Sequence, residues 1–296
     1  MEIDRRELKR RAREAMRQTR PPFWVVTLIY VLMTNGASIL LSLVLNYLIP
    51  AAGTDMATVF FNILLNLYLV VAAFGFYLWS LWTYRRMAPG LSALSQGFSV
   101  TWRVIGMNLL ILLMALLYSM ALGIGFSIVF SIVFVPAAAM RLLPLAVLPI
   151  LVALLAALYA LMLRYSLAPY LLADRPEDGP VAAVRRSVAL MRGYKWELFK
   201  LELSFLGWRV VNWLLSWGVQ GFFLYQAGLF ELLQAQDWSS VITLVYLVSN
   251  SLQVYVLTTL VTLPVALWFL PYQGVALAGF YHERIALQQK DAPPLI

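Results

Sequence analysis

The chain has 296 residues, of which 62% are hydrophobic and only 12% are charged, and its formal net charge is +8. Soluble domains contain about 45–50% apolar and about 25% charged residues, so this composition excludes a cytosolic enzyme and predicts several membrane spans. There is no cysteine, and His282 is the single histidine. This inventory excludes disulfides, thiolate chemistry and zinc or iron–sulfur sites, and we expect no cofactor and no metal.

The first predicted element is a basic amphipathic helix that starts near Arg5. Asp4 and Glu7 have the spacing of a capping box, and Pro21 stops the helix. One face is apolar and consists of Leu8, Ala12, Ala15 and Met16. We expect this helix to lie on the cytoplasmic membrane surface, and we assign residues 1–22 to it.

Six apolar stretches follow, each longer than the ~20 residues that cross a bilayer as a helix. They cover residues 23–49, 57–83, 104–135, 142–172, 198–225 and 241–270. The third and fourth are longer than a straight span needs, so we expect them to tilt, break or run along the interface. Gly123 with Gly125 marks a weak point in the third stretch, and Pro264 with Pro271 marks another near the end of the sixth.

The basic residues predict the topology. They concentrate in the segment before the first span, in the loops after the second and fourth spans, and after the sixth span. Only Arg141, Arg164 and Arg209 lie elsewhere. Because cytoplasmic loops are enriched in Lys and Arg, we predict an all-α protein of the bacterial inner membrane. It has six spans in residues 23–282, a tail at 283–296 and both termini in the cytoplasm. The positive charge is then a topology signal, and we expect no nucleic-acid partner.

A second surface helix is predicted within the cytoplasmic loop at 173–197. It runs from Pro180 to about Arg192. Its apolar face is predicted to comprise Val181, Val184, Val188 and Met191. The basic residues around it are Arg185, Arg186, Arg192 and Lys195. Such helices bind anionic inner-leaflet lipids. The alternative interpretation is that they only fix the depth and orientation of the chain.

Three ionisable residues lie at or within apolar stretches. Arg164 ends the fourth stretch, Glu202 begins the fifth, and Arg209 follows seven residues later on the same helical face. Since charges in a membrane are costly, they pair or face a cavity. We predict a polar cluster of these three residues. It either lines a path for an anionic or lipid-like solute or is a structural salt bridge with arginines that reach toward the surface.

No catalytic constellation is evident. No lysine lies deep in a span for a retinal, and no pair of aspartates lies within the spans for an aspartyl protease. His282 has no second histidine to share a haem or a metal. We therefore expect a protein that is not an enzyme.

Several segments resemble a known family. They read RYSLAPYLLAD from Arg164, AVRRS from Ala183, LMRGYKWELF from Leu190 and LSFLGW from Leu203, with AGFY from Ala278. Together they resemble the bacterial integral membrane proteins of the domain of unknown function 975. The resemblance implies a multi-span inner-membrane protein and brings no established activity and no catalytic residue. It is densest from Arg164 to Trp208.

Three functional hypotheses remain from the sequence. The first is a non-enzymatic protein that binds a partner or organises anionic lipid at the cytoplasmic leaflet. The second is a transporter or channel, and the third is a membrane enzyme. A protein partner or a homo-oligomer fits the first hypothesis.

Overall fold

The computed structural model describes residues 4–45, 55–134 and 143–291, which are almost entirely helical and contain no strand. The predicted all-α class is confirmed. The helices are α1 Arg5–Arg17, α2 Phe23–Val31, α3 Ala37–Leu43, α4 Asp55–Tyr84, α5 Ser92–Gln96, α6 Thr101–Phe134, α7 Leu143–Met162, α8 Ala168–Asp174, α9 Gly179–Leu190, α10 Lys195–Leu203, α11 Leu206–Gln226, α12 Leu229–Gln234, α13 Trp238–Ser249 and α14 Leu252–Asp291. Arg141, the ends of the first and third predicted stretches and the end of the predicted tail lie outside the described residues.

Five helical segments of the described chain are long and apolar enough to cross a membrane. They are Phe23–Leu43, Met56–Tyr84, Ser92–Ile128, Ile150–Asp174 and Leu252–Gln289. The predicted count of six is not confirmed. The fifth predicted stretch corresponds mainly to α11, which has 21 residues but is less apolar because it contains Arg209, Asn212, Ser216 and Gln220.

The helix breaks differ from those expected at glycine and proline. Helix α6 runs without interruption through Gly123 and Gly125, and α14 continues through Pro264 and Pro271. In long apolar helices, neighbouring groups can satisfy the backbone that a proline frees. The sixth stretch instead breaks after Asn250, between α13 and α14.

Serine side chains that bond to the backbone lie at the observed breaks. At the start of α14, the Ser251 hydroxyl accepts the Val254 N–H at 3.2 Å, which is the bond of a serine N-cap. Between α10 and α11, the Ser204 hydroxyl donates to the Leu201 carbonyl at 2.5 Å. Such a bond to the preceding turn competes with the helical ladder.

The chain divides into two compact units. Among the described residues, unit 1 contains 100–134, 143–200 and 281–291, and unit 2 contains 4–45, 55–99 and 201–280. In unit 1, α9 packs on α6 and α8, and α6 packs on α7. In unit 2, α4 packs on α1 and α5.

Glycines permit the closest contacts of α4 in unit 2. A Cβ at Gly75 would lie 2.3 Å from the Leu94 carbonyl oxygen, and one at Gly97 would lie 2.8 Å from the Val71 carbonyl oxygen. A side chain at either position would therefore push α4 and α5 apart.

Candidate functional site

The segment with the densest family resemblance folds in unit 1 as a hairpin of α8 and α9. The chain turns at residues 175–178, and Pro180 in the first turn of α9 lies 3.5 Å from a Cβ built at Gly106 of α6. Helix α9 then returns alongside the end of the fourth span, where the Ser187 hydroxyl donates to the Arg164 carbonyl at 2.7 Å. The hairpin is therefore held against α6 and against the turn that contains Arg164.

The last residues of α14 that belong to unit 1 fix the hairpin at two points. The Tyr281 hydroxyl donates to Asp174 Oδ2 at 3.0 Å, and its ring stacks on Tyr170. Arg284 donates from Nε and Nη2 to the Leu190 carbonyl, at 3.1 and 2.9 Å. Its guanidinium carbon lies 3.4 Å from the centroid of the Tyr194 ring. These contacts satisfy a carbonyl at the end of α9 that has no helical partner.

The side of α9 that is buried in protein only partly coincides with the predicted apolar face. Val184 and Met191 are buried and Val188 is half-buried, but Val181 is 66% exposed. The remaining buried positions of α9 are Ala183, Ser187 and Leu190. Helices α6 and α8 both pack on α9, and that the apolar face of α9 lies on the membrane surface stays a prediction.

The four predicted basic residues of this hairpin have different surroundings. Arg185 and Arg192 are exposed, whereas Arg186 forms an ion pair with Asp178. Lys195 is half-buried, and its pKa is lowered by burial and by repulsion from Arg164. The arginines thus form a solvated face, while Lys195 belongs to a more enclosed environment.

The predicted intramembrane cluster is divided between the units. In unit 2, Arg209 Nη2 lies 3.4 Å from Glu202 Oε2, so this predicted pair is present. Arg164 belongs to unit 1, where its side chain is half-buried.

Helix α1 docks on protein in unit 2. Its predicted apolar residues Leu8, Ala12, Ala15 and Met16 are all buried. Asp4 caps its N-terminus, as expected, by accepting the Arg6 and Glu7 N–H groups. The apolar face that the sequence assigned to the membrane surface is therefore covered by the protein itself.

Lys9 fixes α1 to the break between α10 and α11. Its ammonium donates to the Ser204 carbonyl at 2.9 Å and lies 4.3 Å from the centroid of the Phe205 ring. Phe205 is fully buried and contacts Tyr272 and Phe269 of α14. The pKa of Lys9 is lowered by burial and by repulsion from neighbouring arginines.

The two exposed flanks of α1 carry different charge. On one flank, Glu7 pairs with Arg10 and Arg11 at 2.8 and 2.7 Å, and Glu14 pairs with Arg10 at 2.5 Å. Hydrogen bonds from Arg10 and then Arg11 lower the pKa of Glu7 to about 2. This flank is nearly neutral.

The other flank presents Arg6, Arg13 and Arg17, which are all exposed. Their spacings of seven and four residues place them on one side of the helix. Within the described residues, none of the three lies within salt-bridge distance of a carboxylate. We call these three residues the basic flank of α1.

Some residues of these sites were not predicted. Arg284 was counted as a tail residue, but it is only 6% exposed. Lys9 was counted among the basic residues of the N-terminal segment, although it is bound to Ser204. Neither role has a local sequence signal, because both partners are distant in the chain.

The described residues contain no group of three or more His, Asp or Glu side chains that could hold a metal ion.

No curated protein and no solved structure matches the chain. One family model, described as a protein of unknown function (DUF975), matches residues 1–288. This match agrees with the resemblance found in the hairpin segments and extends it over almost the whole sequence. The chain therefore belongs to the DUF975 family.

Proposed function

We propose that this is a non-catalytic protein of the bacterial inner membrane that binds anionic lipid headgroups at the cytoplasmic leaflet. The observation that carries the proposal is the basic flank of α1, held in place on a helix whose apolar face is buried in protein. Its three arginines have no carboxylate partner among the described residues, so their charge is available to an external anion.

The position of α1 in the chain supports this proposal. Arg17 ends α1, and the first candidate span begins at Phe23. Six residues extend at most about 20 Å, so α1 cannot lie far from the membrane surface. Near an anionic surface each Lys or Arg contributes about 1 kcal/mol. A docked helix holds these groups in position before a lipid binds.

The asymmetry of α1 favours one orientation. The basic flank is attracted to an anionic surface, whereas the flank with Glu7 and Glu14 is neutralised by its own arginines. We infer that the basic flank faces the headgroups and the paired flank faces water. Arg185 of α9 and Arg192 in the turn after it add exposed positive charge in unit 1.

Native mass spectrometry of the full chain tests the proposal. The protein is exchanged from detergent into mixed micelles that contain equal amounts of phosphatidylglycerol and phosphatidylcholine, and the retained lipids are counted. The wild type should retain phosphatidylglycerol in preference to phosphatidylcholine. The variant R6Q/R13Q/R17Q should lose most of this preference.

The matched control is R10Q/R11Q/R186Q, which removes the same net charge from arginines that have carboxylate partners. It should retain phosphatidylglycerol as the wild type does. If both variants lose the preference for phosphatidylglycerol to the same extent, net charge alone explains the binding and the proposal is contradicted. A second polypeptide at fixed stoichiometry would favour an accessory subunit instead.

Transport of a small anionic or lipid-like solute is the second candidate, and α11 provides the observation that favours it. Its residues Asn212, Ser216 and Gln220 are half-buried, whereas Trp213 and Trp217 are exposed. This pattern directs polar groups inward, with the Glu202–Arg209 pair near the start of the helix.

If E202Q folds normally but changes solute uptake by proteoliposomes, transport is favoured. If E202Q only loses stability, the pair is structural.

A further inference from the structure

Helix α13 is a short apolar helix between two long ones in unit 2. Helix α11 has 21 residues, α13 has 12 and α14 has 40. At 1.5 Å per residue these helices are about 31, 18 and 60 Å long. The hydrocarbon core of a bilayer is about 30 Å thick. Helices α11 and α14 are therefore each long enough to cross it, and α13 is not.

Aromatic contacts bring the start of α11 to one level of α14. The ring of Phe205, which immediately precedes α11, lies 5.2 Å from the ring of Tyr272 and 6.2 Å from the ring of Phe269. The adjacent Ser204 carbonyl accepts the hydrogen bond from Lys9 of α1. This level therefore belongs to the side of the protein on which α1 docks.

From this level, both long helices run without a break toward α13. Helix α11 extends about 31 Å to Gln226, and α14 extends about 26 Å from Phe269 back to Leu252. A helix that starts at this level and follows the membrane normal reaches the opposite surface at Gln226 or at Leu252. Helix α13 then connects two helix ends on the same side of the membrane and has no crossing to make.

The sequence around α13 agrees with this position. No Lys or Arg occurs between Arg209 and Arg284, as expected for a segment that does not face the cytoplasm. Asp237 caps the N-terminus of α13, and Asn250 follows its last residue. Because a charge is costly in hydrocarbon, Asp237 holds the start of α13 at the level of the headgroups. Polar residues at both ends favour a helix that lies along the surface.

The side of α13 that faces away from protein is mainly apolar. Trp238, Ile242 and Tyr246 recur at intervals of four residues and are 63%, 69% and 66% exposed. The exposed Thr243 hydroxyl and the Asn250 amide donate to backbone carbonyls one turn earlier, at 2.9 and 2.8 Å. Since these polar groups are satisfied within the helix, their contact with lipid costs less.

We propose that α13 lies in the plane of the periplasmic leaflet, with Trp238, Ile242 and Tyr246 embedded at the boundary between headgroups and acyl chains. Interfacial helices bury their apolar face about 5–10 Å into this region, and Trp and Tyr favour it. Helix α11 is then a full membrane crossing. The partner of this surface is lipid on the side opposite α1, so the proposal stands even if the basic flank of α1 binds no lipid.

Fluorescence quenching by lipids that carry a doxyl group at a known depth tests the proposal. The chain has no cysteine, so W238C and Y246C can each carry one fluorophore in proteoliposomes of the full protein. The two positions are about 12 Å apart along the helix. For a helix within about 20° of the membrane plane, their depths should differ by less than about 4 Å. Both should be quenched more strongly by a shallow doxyl group than by a deep one.

The matched control is the pair W217C and Y225C in α11. These positions are also eight residues apart, and their side chains are 58% and 66% exposed. On a crossing helix their depths should differ by about 10–12 Å. If positions 238 and 246 differ as much as the control pair, α13 is inserted along the membrane normal and the proposal is wrong. All four side chains are exposed, and gel filtration verifies that each variant is folded.

Two further measurements test the contact with lipid and its side. Aqueous iodide should quench a fluorophore at Q236C in the preceding loop much more than one at Y246C, and equal quenching would place α13 outside the lipid. In intact cells, a membrane-impermeant maleimide should label E231C of α12, but it should label Q18C only after lysis. Labelling of E231C only after lysis would overturn the assignment to the periplasmic leaflet.

Discussion

The hydroxyl of Tyr281 and the carboxylate of Asp174 are 107 residues apart in sequence and 3.0 Å apart in the structure. Tyr281 is fully buried, and its ring stacks on Tyr170 at a centroid distance of 5.8 Å. The bond joins the end of α14 to the end of α8. Together with Arg284, it fixes the hairpin that carries the basic residues of unit 1.

Replacement of Tyr281 by Phe should destabilise the protein by about 1–3 kcal/mol. The change removes the hydrogen bond to a carboxylate but keeps the stacked ring. The free energy of unfolding in mixed micelles with increasing SDS measures the effect. Y246F is the control, because Tyr246 is 66% exposed, and it should change stability by less than about 0.5 kcal/mol. Equal effects of the two changes would contradict the role of this bond.

Replacement of Arg284 by Lys should cost about 2 kcal/mol or more, even though it preserves the charge. An ammonium cannot make the two hydrogen bonds to the Leu190 carbonyl or stack flat on Tyr194. The same unfolding titration measures the loss. R192K is the comparison at an exposed arginine of the same hairpin. If R284K is as stable as R192K, the guanidinium geometry does not matter.

Replacement of Gly75 by Ala should destabilise unit 2 by about 1–3 kcal/mol, because the new methyl group would lie 2.3 Å from the Leu94 carbonyl oxygen. The control is G123A, since a Cβ at Gly123 meets nothing within 4 Å. At that helical position alanine should be neutral or stabilising by about 0.5–1 kcal/mol. The difference between the two unfolding temperatures checks the prediction, and similar values would argue against close contact of α4 with α5.

The contribution of Glu7 should depend on pH. Its pKa falls from 4.5 to about 2 in the folded protein, so its ion pairs stabilise α1 fully above pH 4.5. The stabilisation is lost as the pH falls from 4.5 toward 2. The difference in unfolding temperature between the wild type and E7Q should therefore be smaller at pH 3 than at pH 6.

High salt should also reduce this difference at pH 6, because the pairs are on the surface. A difference that is the same at both pH values would show that the Glu7 carboxylate is not stabilised by Arg10 and Arg11.

Local patterns predicted the elements well, but not what covers them. The sequence of α1 identified both its cap at Asp4 and its buried residues, because capping and periodicity depend on neighbouring residues. It did not show that protein covers this face. The same reason explains why Val181 is exposed whereas Val184 is buried, since the packing of α6 and α8 on α9 depends on residues distant in the sequence.

Neither the positions of the helix breaks nor the burial of Arg284 could be predicted from neighbouring residues in the sequence. Glycine and proline are strong local signals, but α6 and α14 continue through them. The breaks occur instead at Ser204 and Ser251, where hydroxyl groups bond to the backbone. Arg284 was indistinguishable in sequence from a tail residue, because its partners Leu190 and Tyr194 lie at the end of α9 and in the turn after it, about 90 residues earlier in the chain. Glu202 and Arg209 do lie 3.4 Å apart, but they do so across the break between α10 and α11 and not on one face of a continuous helix.

The orientation of α1 is the most direct test of lipid binding by its basic flank. The chain has no cysteine, so R13C and Q18C can each carry a single fluorophore, on the basic flank and away from it. In vesicles of phosphatidylglycerol and phosphatidylcholine, a headgroup-labelled quencher lipid should quench the fluorophore at position 13 much more than the one at position 18. In vesicles of phosphatidylcholine alone, the difference should shrink. Equal quenching at both positions in the anionic vesicles would contradict the proposed contact between the basic flank and the lipid headgroups.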